Sequence, residues 1–283
     1  MTDRPRRSVL YMPGSNSRAL AKARSLDADV LILDLEDAVA PDAKTEARRL
    51  VAEALAEGGY GHRETLVRIN APGTAWAEDD IRMVAASSAN GLLIPKVESP
   101  DTVRAVEAAL TGTGVALWCM IETPLGVLRA AEIAAASSRL AGFVMGTSDL
   151  VKDLRARHTP GREAVLTALS LTVLAARAYG LAVIDGVHLD LDDAEGFDAA
   201  CRQGVTLGFD GKTLIHPKTI DAANRHFAPS EAEIAWSHRI IAAFEAAKAE
   251  GKGVVVVDGK LVEELHVIGA RRIVELAETI GAR

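Results

Sequence analysis

Short, nearly continuous apolar runs recur along the chain at residues 8–11, 30–35, 65–69, 91–94, 115–120, 142–145, 181–184 and 205–209. Most lack in–out alternation, which is the pattern of strands buried on both faces of a parallel sheet. Between them lie stretches with helical spacing at 17–26, 43–56, 100–109, 125–136 and 162–179. Pro100 and Pro124 suit first helical turns, and Gly58 and Gly180 suit last ones. Eight strand–helix repeats predict an α/β fold, a (β/α)8 TIM barrel. A doubly wound open sheet is the structural alternative, and the strand count favours the barrel. Residues 1–228 are therefore read as a catalytic barrel domain. A helix at 230–250, a VVVVDGK strand and turn, and a helix from about His266 follow. They predict a short C-terminal helical appendage, residues 229–283, that packs on the barrel or on a neighbouring subunit.

Composition narrows the class. A chain of 283 residues has room for two average domains, yet α/β barrels of about 250 residues fold as one. Hydrophobic residues at 49% and charged residues at 25% exclude a largely disordered chain. With aromatics at 4%, the core has to be built from Ala, Val, Leu and Ile. The net charge of −7 argues against nucleic-acid binding, which normally needs a basic excess. Cys119 and Cys201 form neither a disulfide framework nor a zinc-knuckle spacing. The basic start, MTDRPRR, breaks at Pro13 and Gly14 before any signal-like apolar segment, and no run approaches the roughly 20 residues that span a bilayer. The expectation is a cytoplasmic enzyme with no membrane partner.

In a parallel barrel, chemistry sits at the C-terminal ends of the strands. Polar residues cluster at those ends here: Asp34, Glu36 and Asp37; Arg68; Lys96; Glu122; Asp149; Asp185; Lys212. Three carboxylates within four positions call for positive charge from Arg68, Lys96 or a cation. Glu122 and Asp149 lie one βα unit apart and should share the mouth, where two carboxylates suit Mg²⁺. Glu122 behind Pro124 and Asp149 after Gly146 would serve equally as helix-capping and turn residues. Arg68, ending TLVRI, reads as a clamp for a substrate carboxylate or as the ion-pair partner of Glu36 or Asp37. Lys96 is placed as a Schiff-base lysine would be, but an acidic mouth favours a charged, structural lysine.

Six motifs in order, RSVLYMPGSNSRALAKA, LILDLEDAVAPDAKTEAR, VRIN, IPKVES, MIETPLGV and GTSDL, strongly resemble the citrate lyase β-subunit (citryl-CoA lyase) family. That family lies within the wider group of malyl-CoA and citramalyl-CoA lyases and HpcH/HpaI aldolases, and the likeness runs from Arg7 to about His226. The resemblance implies a Mg²⁺-dependent (β/α)8 lyase forming a homotrimer or hexamer. By motif, Glu122 and Asp149 correspond to the metal ligands. Arg68 corresponds to the arginine that holds the oxo-acid part of the substrate, with Glu122 beside it, and Asp37 to an acidic residue that orders the site. Arg18 and Lys22 fall where the family contacts the nucleotide end of coenzyme A, although a pair four apart on one helix face also reads as a solvated basic surface. The GKTLIHP segment matches a loop lining the thioester channel. In the tail, Glu263 of DGKLVEE stands where many relatives carry an aspartate that reaches into a neighbouring subunit's site.

The implied reaction cleaves a 3-hydroxy-3-carboxyacyl thioester of citryl type to an oxo acid such as oxaloacetate and an acetyl thioester. Arg68, Asp37 and Glu263 are then the catalytic candidates, with the acyl group carried on coenzyme A or on an acyl carrier protein. Alternatives are a malyl-CoA or citramalyl-CoA lyase, a metal-dependent aldolase acting on free oxo acids, and a non-catalytic scaffold that docks an acyl carrier protein.

Overall fold

A computed structural model describes residues 4–283. It divides into two compact units, Arg6–Asn224 and a smaller one formed by Arg225–Arg283 with Arg4 and Pro5. In the larger unit, eight strands close a parallel barrel in sequence order: β1 (Ser8–Pro13), β2 (Val30–Asp34), β3 (Glu64–Arg68), β4 (Gly91–Ile94), β5 (Ala116–Ile121), β6 (Leu140–Met145), β7 (Ala182–Asp185) and β8 (Gly211–Leu214). Helices α1 (Ser17–Ala23), α2 (Lys44–Glu57), α3 (Ala77–Ala85), α4 (Pro100–Ala109), α5 (Pro124–Leu128), α6 (Ala130–Ala134), α7 (Thr147–Asp153), α8 (Leu166–Ala178) and α9 (Ala194–Leu207) link the strands, and α10 (Ile220–His226) follows β8. The TIM barrel expected from the apolar runs is therefore the observed fold. The single helix expected at 125–136 is two short ones, because Arg129 leaves helical geometry between them (φ −105°, ψ 11°). Pro124 and Thr123 fix its start: the threonine side chain accepts from Gly126 N–H at 3.0 Å.

The eighth strand lies beyond the apolar run that predicts it. The apolar run at 205–209 is not a strand: residues up to Leu207 close α9, and Gly208 ends it in a left-handed conformation (φ 96°). The true strand, GKTL, is polar, yet it is buried. Lys212 in it has no exposed side-chain surface and donates to Asp185 Oδ2 at 2.9 Å and to the Gly186 carbonyl at 2.6 Å. A strand that hides a paired charge carries no apolar signature.

Strand alternation sorts the polar residues. Val9, Val30, Ile32, Leu66, Leu93, Trp118, Met120, Val144 and Ile184 form one buried cluster inside the barrel. Two residues beyond Ile32, Leu66 and Met120 come Asp34, Arg68 and Glu122, so the period of two turns these three inward, one layer above the plug. Asp185, directly after Ile184, has the opposite parity. It faces outward beside Lys212 and binds Arg162 Nη1 at 2.8 Å, so these residues leave the mouth and brace β7 and β8 from outside. The plug fits because two glycines make room for Trp118. A Cβ on Gly142 would collide with the fully buried indole and lie 2.7 Å from the Ala182 carbonyl. Gly142→Ala should therefore destabilise the protein by roughly 1–3 kcal/mol through overpacking, read as a lower urea midpoint at unchanged slope.

The smaller unit contains α11 (Glu231–Ala249), a two-stranded antiparallel ribbon of β9 (Val255–Val257) and β10 (Lys260–Val262), and α12 (Glu264–Gly281). Ser230 opens α11 with a capping box to Glu233. Ile240, Phe244, Val262, Val267 and Ala270 form its core. Among the described residues no helix is long and apolar enough to cross a membrane.

Candidate active site

The inward layer begins with a pair made by register. Asp34 and Arg68 are direct partners across β2 and β3. Both are buried, and the guanidinium grips the carboxylate with both arms, Nε to Oδ1 at 2.7 Å and Nη2 to Oδ2 at 2.6 Å. Its face lies over the Tyr11 ring, 4.9 Å from the centroid. Two arms are thereby consumed, and Nη1 remains. It points at Glu36 Oε2 (3.0 Å), Asp37 Oδ2 (3.5 Å) and the Met120 sulfur (3.7 Å). Burial alone would weaken the guanidinium's hold on its proton, but the Asp34 carboxylate outweighs this and keeps Arg68 charged. The alternative ion pair foreseen for Arg68 exists, but its main partner is Asp34.

The loop after β2 is tied down from below. Buried Lys44 donates to the carbonyls of Leu35 (2.8 Å) and Glu36 (2.7 Å), with its ammonium 5.6 Å from the Trp76 ring centroid. That anchors the segment carrying Glu36 and Asp37. Glu36 bridges two cations, Arg68 on one oxygen and Lys96 Nζ on the other at 2.6 Å. Burial pushes its carboxyl up, with Arg68 and Lys96 opposing. Asp37 is exposed, at the open side of the cluster.

Lys96, two residues past the end of β4, is left-handed, φ 51°, unusual for a residue with a side chain. Its N–H donates to Glu122 Oε1 at 2.7 Å, while its Nζ lies 4.0 Å from both Glu122 Oε1 and Asp37 Oδ2. Burial works against the ammonium, but Glu36 and Glu122 hold its affinity for the proton above the ordinary lysine value. This is the charged lysine that the acidic mouth favoured; an imine-forming lysine needs the neutral amine.

Glu122 is almost fully buried, and burial pushes its carboxyl up to about 7 against the opposing charge of Lys96. Oε1 is taken by Lys96, and Oε2 packs on Gly146, where any Cβ would collide with it. Gly146 is therefore a cradle for this carboxylate and stands three residues before Asp149. The Asp149 carboxylate, in the first turn of α7, accepts from Lys152 Nζ at 2.6 Å. Among the described residues, no three His, Cys, Asp or Glu side chains gather closely enough to hold a metal ion. The donor set offered is two carboxylates from adjacent βα units. Hard oxygen donors in that number fit Mg²⁺, which keeps waters and takes the rest of its shell from substrate.

The structure thus joins Arg68, Asp37 and Glu122 in one bonded cluster and sets Asp149 on the neighbouring helix. Arg18 and Lys22 are exposed on α1 and take no part in the cluster. Glu263 belongs to the smaller unit, exposed at the start of α12, where its N–H donates to His266 Nδ1 at 3.0 Å. Asp34, Glu36 and Lys96 prove central although sequence motifs point first to their neighbours; the readable signal for Asp34 was a charge at the last position of an apolar strand.

A parallel barrel with a buried arginine and buried carboxylates at the C-terminal ends of its strands has the architecture of an α/β-barrel enzyme. Residues 7–217 match the HpcH/HpaI aldolase/citrate lyase family, and the chain belongs to it. It is 52% identical over 278 residues to a (3S)-malyl-CoA thioesterase of Cereibacter sphaeroides, spanning 98% of this chain and 96% of that one. Citrate lyase subunit beta of Escherichia coli is 37% identical over 291 residues, spanning 99% and 96%. Among solved structures, CitE of Mycobacterium tuberculosis in complex with magnesium, acetoacetate and coenzyme A superposes with a TM-score of 0.81 at 32% identity, covering 98% of this chain and all of that one.

Arg68→Lys keeps the charge and loses the fork. Turnover should fall by about 10²–10³-fold, roughly 2–4 kcal/mol of transition-state stabilisation, with weakened oxo-acid binding in a titration. A near-native rate would make Arg68 a purely structural partner of Asp34.

Proposed function

We propose that this enzyme uses Mg²⁺ to cleave the carbon–carbon bond of a 3-hydroxy-3-carboxyacyl thioester of malyl type, giving glyoxylate and an acetyl thioester. The observation that carries the choice of acyl group is how little of Arg68 is left for substrate. Asp34 holds Nε and Nη2, and Nη1 already faces Glu36 Oε2 at 3.0 Å, so one substrate carboxylate at most can reach the guanidinium, at Nη1 and in competition with Glu36. A citryl group brings a further carboxylate into a mouth already lined by Asp34, Glu36 and Asp37, where Lys96 is engaged by Glu36. Like charge at that range disfavours it. The similarity to a malyl-CoA thioesterase supports the same acyl group.

Glu122 and Asp149 are the residues that would hold the metal, and Lewis-acid assistance to loss of the substrate hydroxyl proton is the chemistry supplied when it is bound. Arg68 orients the carboxylate and stabilises the alkoxide charge that develops as the hydroxyl proton leaves, charge that passes to the thioester enolate when the carbon–carbon bond breaks. Asp37 is the proposed acceptor of the hydroxyl proton, supported by its exposed position beside Nη1. Cleavage leaves an enolate of the acetyl thioester, which needs a proton. Glu263 of a neighbouring chain is the proposed donor, with Arg18 and Lys22 proposed for the nucleotide end of coenzyme A. If the site is shared in this way, mixing Glu263→Gln with Arg68→Ala protein should restore part of the activity each lacks alone; no recovery despite proven subunit exchange would remove Glu263 from the reaction.

The test of the acyl group is kcat/KM for malyl and citryl thioesters with Mg²⁺. Preference for malyl supports the reading, and preference for citryl overturns it. A second reading, hydrolysis of the same thioester to malate and free thiol, is favoured by the thioesterase relative and requires only that water attack the acyl carbonyl before the carbon–carbon bond breaks.

A further inference from the structure

The strained residue of the mouth is Lys96, and its two halves do different things. The side chain neutralises Glu36 and Asp37. The main chain, turned left-handed, sends its N–H to Glu122 Oε1 at 2.7 Å. The next N–H, of Val97, donates to the Met120 carbonyl at 3.4 Å, and the positive φ of Lys96 is the turn that joins these two successive bonds. Because Oε1 is occupied, the other oxygen defines how the carboxylate faces its surroundings, and Oε2 lies against Gly146 on the α7 side, towards the turn that carries Asp149.

We propose that Lys96 is a positioning residue acting through its main chain: its left-handed backbone fixes Glu122 Oε1 and thereby commits Oε2 to the cation. This rests on the reading of Glu122 as a Mg²⁺ ligand. Groups that orient a metal ligand from behind are worth about 10–100-fold in metal affinity. The ammonium acts on that affinity in two opposed ways: 4.0 Å from Glu122 it repels a cation, yet it also opposes the burial that raises the Glu122 carboxyl, so its two effects offset one another. Metal affinity in substituted proteins should therefore follow tolerance of a positive φ, and not charge at this position.

The experiment is calorimetric titration of Mg²⁺ into the full chain, with thermal unfolding recorded for each protein. Lys96→Gly and Lys96→Asn accept the left-handed backbone and keep the N–H, so both should bind Mg²⁺ no more weakly than wild type. Lys96→Val resists that backbone and should bind about 10–100-fold more weakly. Lys96→Ala gives the same comparison with less strain if the valine protein does not fold. Weak binding by the glycine and asparagine proteins would overturn the proposal by assigning the effect to the ammonium. Equal binding by all four would overturn it by removing the N–H from the metal site. Glu122→Gln separates the two levels: if it binds Mg²⁺ as wild type does, the ligand assignment itself has failed, whereas a loss there with a flat Lys96 series defeats only the role of Lys96.

Discussion

Glu122→Gln should leave the barrel folded while turnover falls by on the order of 10²-fold or more, the scale of losing one preorganised charge-stabilising group. Glutamine preserves volume and the Oε1 contact with the Lys96 N–H, but it withdraws the negative charge a cation needs. Mg²⁺ affinity and turnover should fall together. Asp149→Asn should repeat the pattern, because Asp149 supplies the second carboxylate. Lys152→Ala is the control: it removes the ammonium now bonded to Asp149 and should not weaken Mg²⁺ binding. Unchanged Mg²⁺ dependence in both carboxylate variants would show that the acids only cap their helices.

The largest expected loss of stability lies outside the mouth. Asp185 and Lys212 have no side-chain exposure, and Arg162 completes the cluster. Asp185→Ala strands two cations against the barrel wall and should cost about 3–5 kcal/mol, measured by urea unfolding. Burial pushes the Asp185 carboxyl up, but Lys212 and Arg162 outweigh it and hold it below the ordinary aspartate range. Its contribution is therefore full above the unfolded value near 3.9 and is lost as pH falls through the lower folded value. Asp185→Asn should be less stable than wild type at neutral pH, and the gap should narrow in acid. A constant gap would place the effect in packing.

The barrel was readable because its strands are apolar on both faces, and the positions of Asp34, Arg68 and Glu122 were readable because charges ending such strands have few places to go. The direction of a strand-end charge was less accessible. Asp185 and Asp34 look alike in sequence, but one residue of parity sends Asp185 outward to Lys212 and Asp34 inward to Arg68. β8 was missed for a related reason: burial of Lys212 is made possible by partners from β7 and its following loop, which no local pattern records. The preference of Arg68 for Asp34 over Glu36 depends on the register of β2 against β3. The backbone of Lys96 is a tertiary effect, since nothing in PKV announces a positive φ. Gly146, by contrast, could have been suspected, as a glycine after a strand and before an acidic turn often marks a close approach.

The most direct measurement follows the products of a malyl thioester incubated with the purified enzyme and Mg²⁺, assaying oxo acid, hydroxy acid and free thiol in the same quenched samples. The expected result is glyoxylate and acetyl thioester in equal amounts, with no free thiol, and loss of both in Arg68→Lys and Glu122→Gln. Malate and free thiol without glyoxylate would contradict cleavage of the carbon–carbon bond.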